Sequence, residues 1–86
     1  MVIYEVIEKG KEELRKATGL EPASVIETLR EDKGWRVAIE VVERKAVPDT
    51  ADILGLYEIS LDGEGNLFKF KRVKLRKRMD MEEKDK

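Results

Sequence analysis

From Trp35 to Glu43 the side chains alternate: Trp35, Val37, Ile39 and Val41 share one parity, and Arg36, Ala38, Glu40 and Val42 the other. Successive side chains of a strand point to opposite faces of its sheet. The segment therefore reads as a β-strand with one apolar and one mixed face. An apolar sheet face needs a covering layer, and the flanking sequence supplies both further strands and that cover. At 86 residues the chain has room for one domain. A domain of this size buries only about 60–65% of its unfolded surface. Cysteine is absent, so neither disulfides nor thiolate metal sites contribute. Stability has to come from packing, ion pairs or a partner subunit.

The cover is predicted at the N-terminus. Ile3, Val6, Ile7, Gly10, Leu14 and Ala17 recur at spacings of three and four, which places one apolar stripe on a helix over Val2 to Thr18. Gly19 can close that helix in the left-handed conformation, Leu20 can make the accompanying apolar contact, and Pro22 cannot extend it. Ser24 to Arg30 reads as a short strand, and Glu31-Asp32-Lys33-Gly34 as a turn. Pro48 lacks a backbone donor and ends the second strand region. Asp49-Thr50-Ala51-Asp52 permits one helical turn with Asp49 as its cap. Ile53 to Leu61 is apolar on both faces at its start, as in a central strand. Asp62 to Asn66 forms a turn, and Leu67 to about Arg78 a fourth strand. A bulge near Lys71-Arg72 would bring Phe68, Phe70, Val73 and Leu75 to the inner face. Short connections favour antiparallel neighbours. The expected fold is α+β: an N-terminal amphipathic helix on a four-stranded antiparallel meander over residues 1–78, with a charged, disordered tail at 79–86.

Charged residues make up 43% of the chain and hydrophobic ones 41%, at a net charge of −1. The apolar residues come in periodic blocks, which separates this chain from disordered ones. A surface dense in lysine and glutamate suits ion-pair networks and points to a thermophilic source. No apolar run approaches the roughly 20 residues of a membrane-spanning helix. The start lacks a basic leader segment, so the expected compartment is the cytoplasm, with no membrane partner.

The chemistry of most enzymes is missing. There is no histidine or cysteine, and Ser24 and Ser60 stand in no nucleophile motif. No glycine-rich phosphate loop occurs. No cofactor, metal or small-molecule substrate is expected. Asp49 with Asp52 is the best acid–base pair, but a capped turn explains both. Asp62, Glu64 and Asn66 imitate the start of a calcium loop. The pattern then fails at Leu67, where glycine is needed, and at Val73, where glutamate is needed.

Charge is segregated instead. Asp49, Asp52, Glu58, Asp62 and Glu64 precede an all-basic stretch of Lys69, Lys71, Arg72, Lys74, Arg76, Lys77 and Arg78. The basic strand either meets an acidic partner or phosphates, or pairs internally across the hairpin and with Glu40 and Glu43. Arg76 to Arg78, running past the matched end of the third strand, fit internal pairing less well. Phe68 and Phe70 could stack nucleic-acid bases, but core packing is the expected role of such a pair in a small sheet.

The ordered succession Gly34-Trp35-Arg36-Val37, Glu40-Val41-Val42-Glu43, Val47-Pro48-Asp49-Thr50 with Asp52, Leu54 and Gly55, then Tyr57-Glu58-Ile59, Asp62, Gly65, Leu67, Phe70 and Arg72 resembles the gas vesicle protein O family. Leu75 and Arg76 depart from it, standing where members carry an aromatic. The resemblance implies a non-enzymatic accessory protein of gas vesicle formation, without cofactor, that contacts other gas vesicle proteins. The expected contact surface is the hairpin of the last two strands with Tyr57, Arg72, Arg76 and Arg78, beside the junction holding Asp49 and Asp52. A small nucleic-acid-binding regulatory domain using the same basic strand is the alternative, and the net charge of −1 argues against it. A hydrolase working through Asp49, Asp52 or Glu40 ranks last. A homodimer is compatible with the small core and an uncovered sheet edge.

Overall fold

A computed structural model describes residues 2–79. Of the expected tail at 79–86, residues 80–86 lie outside the described residues, and the Met79 amide donates to the Thr50 carbonyl at 3.0 Å. Helix α1 (Ile3–Thr18) is followed by strands β1 (Glu21–Glu31), β2 (Gly34–Arg44), β3 (Ile53–Asp62) and β4 (Leu67–Lys77), with one 3-10 turn at Asp49–Ala51. The four strands form one antiparallel sheet in the order β1-β2-β3-β4. This is the predicted α+β meander.

Helix α1 begins where the Glu5 carboxylate accepts the Val2 amide at 3.2 Å. It ends where Gly19, at φ 75°, donates its amide to the Arg15 carbonyl at 2.7 Å. Its buried residues are Val6, Gly10 and Leu14, spaced by four, so they rise as one narrow line on the helix. Ile3 and Ala17, predicted in the stripe, are exposed because they fall off that line. Gly10 permits the closest approach to the sheet. A Cβ there would lie 3.2 Å from the Ile59 Cδ1, with Ile39 and Leu61 at 3.7 Å.

Residues paired across antiparallel strands share a face. Val37, Ile39 and Val41 stand opposite Ile59, Tyr57 and Gly55, and these positions form the helix-side face. All of those large side chains are buried, together with Leu61. Each contributes roughly 1.5–3 kcal/mol by leaving water. Glu40, Val42, Leu54, Leu56 and Glu58 occupy the opposite, open face. The alternation of β2 thus decides both faces.

Two features differ from the sequence reading. Strand β1 is longer than Ser24 to Arg30, running through Pro22 with register shifts at Pro22/Ser24 and Val25/Glu27. Pro22 is tolerated because β1 is an edge strand. Strand β4 has two bulges, at Phe68 and Val73, rather than one near Lys71-Arg72. Phe68, Phe70, Val73 and Leu75 are all exposed and are not core. The physical reason is reach. A 16-residue helix is about 24 Å long, and α1 centres on Ile59 and Ile39 and then feeds β1. Leu67 packs against the core, whereas the rest of β4 extends beyond the cover.

Candidate functional site

The residues singled out from sequence converge on one corner of the sheet, where the ends of β2 and β4 flank the start of β3. Register places Tyr57 opposite Arg72, Leu54 opposite Arg76 and Glu40 opposite Leu56. Three arginines here are each matched to a carboxylate. Arg76 donates through Nε to Glu40 Oε2 at 2.8 Å and through Nη2 to Glu40 Oε1 at 2.9 Å. This bidentate pair spans the open face over β3, and Glu40 is buried beneath it. Arg78 points Nε and Nη2 at Asp52 Oδ2, both at 3.3 Å. Asp52 is fully buried and also accepts the Ala46 amide at 2.7 Å. The backbone continues this tie: the Arg78 amide donates to the Asp52 carbonyl and the Met79 amide to Thr50, at 2.8 and 3.0 Å. The Pro48–Asp52 junction therefore clamps the end of β4. The backbone of Asp49 begins the 3-10 turn instead of capping it, and its side chain lies outside the described residues.

On the helix side, Glu43 Oε2 accepts the Tyr57 hydroxyl at 2.9 Å and lies 3.6 Å from Arg72 Nη1. Glu43 occupies the extra position of a register shift between Val42 and Arg44, which turns its side chain across the sheet. It crosses over Gly55, where a Cβ would stand 2.7 Å from Glu43 Cγ. Phe70 tilts against the Tyr57 ring, with centroids 6.4 Å apart. The sequence offers Glu40 and Glu43 as internal partners of the basic strand, but gives no sign that Gly55 leaves the space for the Glu43 carboxylate. An isolated glycine within a strand signals a close approach but not which group makes it.

Burial, with the adjacent Glu43 carboxylate, raises the Tyr57 pKa above its ordinary 10.0. The fold thus favours the neutral phenol. Its contribution is complete below the unfolded value and is lost as pH rises through the higher folded one. Denaturant midpoints of the native protein should fall as pH passes 10.0, and Tyr57→Phe should show less of that fall. Identical pH profiles for the two would refute the assignment.

The lysines of β4 behave differently from its arginines. Lys69, Lys71, Lys74 and Lys77 are exposed, and none forms an ion pair with another described residue. Lys69, Lys71 and Lys74 project on the open face opposite Ser60, Glu58 and Leu56. The three arginines of the basic strand are thus internally neutralised, and its four lysines are exposed. The neutralised arginines include Arg76 and Arg78, which the sequence had set against internal pairing. At the far end of the hairpin, the Asp62 carboxylate accepts the Asn66 and Glu64 amides, each at 2.9 Å. Those bonds, Asn66 first, hold its carboxyl below the usual range. The Asp62–Asn66 segment is a tight turn whose acid is spent on its own backbone.

Comparison with known proteins places this geometry in context. Residues 1–82 match the family model described as "Gas vesicle synthesis protein GvpO". Gas vesicle protein O1 of Halobacterium salinarum is 54% identical over 52 residues, covering 60% of this chain and 44% of that protein. Gas vesicle protein O of Haloferax mediterranei is 50% identical over 50 residues, covering 58% and 36%. Gas vesicle protein O of a Streptomyces species is 40% identical over 62 residues, covering 72% and 48%. The chain thus spans less than half the length of these relatives. No solved structure matches.

Proposed function

Because this chain belongs to the gas vesicle synthesis protein GvpO family, we propose that it is a non-enzymatic accessory protein of gas vesicle formation that works by binding other gas vesicle proteins. The family match supplies the process. The observation that supports binding is β4, where exposed apolar side chains alternate with lysines that no described carboxylate neutralises. A domain of this size seldom leaves such a strand without a use. The contact surface is the β3–β4 hairpin with the Pro48–Asp52 junction, including Tyr57, Arg72, Arg76, Arg78, Asp49 and Asp52. Within it, the buried carboxylates and their arginines hold the surface in shape, and the lysines and exposed aromatics meet the partner. No described helix is long and apolar enough to cross a membrane. We place the protein in the cytoplasm, in association with the vesicle.

Removing the chain from a gas-vesicle-forming host should reduce or abolish vesicles, and restoring it should recover them. Tagged protein should co-purify with at least one other gas vesicle protein of the same host. Normal vesicles without the chain would overturn the reading. The lysines and exposed phenylalanines also favour one second reading, a nucleic-acid binder. That reading requires an affinity for oligonucleotides that falls steeply with salt, as counterions are released from phosphates.

A further inference from the structure

We propose that the free edge of β4 accepts an acidic, extended segment of a partner protein as a fifth strand of the sheet. The inference takes from the preceding reading only the identity of the partner as a gas vesicle protein. Its physical basis is the edge itself. Strand β4 runs for 11 residues and pairs with β3 alone. Its outer side therefore presents backbone donors and acceptors without a strand to receive them. Between its bulges the ladder is regular from Lys69 to Arg72, and again from Lys74 to Lys77. In these stretches Lys69, Lys71 and Lys74 stand on the open face with Arg76, and Phe70 and Leu75 on the helix side with Arg72 and Lys77.

A strand laid beside β4 would meet that alternation directly. Acidic residues would fall against Lys69, Lys71 and Lys74, and apolar ones against Phe70 and Leu75, since cross-strand neighbours share a face. The arginines do not compete for the incoming acids, because Glu40, Glu43 and Asp52 already engage them. Lysines on an edge commonly deter strand pairing. Here they deter a second β4, which would set lysine against lysine, and leave the edge open to an acidic sequence. The opposite edge is closed by other means. Strand β1 carries Pro22, which has no amide to donate, and Glu21, Glu27 and Glu31, which would repel an acidic strand. The chain therefore has one receptive edge with a defined charge preference. This is strand addition, in which main-chain bonds supply affinity and alternate side chains supply selectivity.

The test uses the full chain and a labelled eleven-residue synthetic peptide in which glutamate alternates with valine and threonine. A companion peptide has the same glutamates and two central prolines, which cannot join a ladder. The alternating peptide should bind at least about tenfold more tightly than its companion. It should slow hydrogen exchange at those β4 amides not already bonded to β3. A Lys69→Glu/Lys71→Glu/Lys74→Glu variant with an unchanged melting temperature should lose at least about tenfold in affinity. Equal binding of the two peptides would reduce the edge to bare charge and overturn the proposal. So would protection confined to β1, the same β4 protection from a second copy of the chain alone, or tighter binding of a single-stranded oligonucleotide than of the glutamate peptide. Vesicle rescue is scored separately. If the chain proves dispensable for vesicles yet adds the peptide at β4, the edge stands and only the partner's identity falls.

Discussion

Replacing Gly34 by alanine should destabilise this protein more than any other single methyl group added to it. Gly34 opens β2 and is paired with Asp62 on β3. An added Cβ would run into the Leu61 carbonyl oxygen, and would lie 2.9 Å from the Asp62 Cα. Both obstacles are backbone, so no side-chain rotation relieves them. Either the first pairs of the β2–β3 ladder separate or the turn before β2 rearranges. We expect a cost of about 3 kcal/mol, at the upper end of overpacking penalties. For a domain of this size that lowers the melting temperature by roughly 12–24 °C. Gly63 is the control. Nothing lies within 4 Å of a Cβ there, so Gly63→Ala should stay within about 0.5 kcal/mol of the native protein. Equal melting temperatures for the two variants would contradict this account.

Most of the meander was legible because it depends on local signals. The parity of Trp35 to Val41 gave β2 and its core face, the glycine at position 19 gave the helix stop, and the Asp62–Asn66 cluster gave the last turn. Strand β1 was underestimated because Pro22 and the shifted residues after it break the period. The exposure of Phe68 and Phe70 was illegible for another reason. Alternation assigns a residue to a face, but the coverage of that face depends on where a helix lies, which is a long-range property. Glu40 and Glu43 could be named from sequence as partners of the basic strand, but which arginine takes which acid falls in the same class. Arg76 reaches a carboxylate 36 positions earlier, on a strand that is not its neighbour, and no spacing rule encodes a pair that passes over an intervening strand. The depth of Asp52 was also hidden, since a short polar junction reads as surface until β4 returns beside it.

The Glu40–Arg76 pair should prove a structural element of the binding corner rather than a contact, and its energetics can decide this. Glu40 is only 7% exposed and Arg76 is partly covered. Removing the guanidinium while keeping the apolar stem, as in Arg76→Met, leaves a buried carboxylate without its bidentate partner. Breaking a buried pair costs about 3–5 kcal/mol. Because a quarter of the Arg76 side chain remains exposed, we expect about 3 kcal/mol, the lower end of that range. Glu40→Met alone leaves the cation near water and should cost less. The double variant removes both charges and should recover much of the loss, since apolar replacements of a buried pair are often nearly neutral. A double-mutant cycle should therefore give a coupling of about 2 kcal/mol, well above that of independent sites. Additive single effects would show the pair to be ornamental. The result also governs how binding is mapped. If the coupling is large, reversing the charge of Arg76 disturbs the sheet before it reports on any partner. The exposed lysines at positions 69, 71 and 74 are then the cleaner probes, because they can be changed without exposing a buried carboxylate.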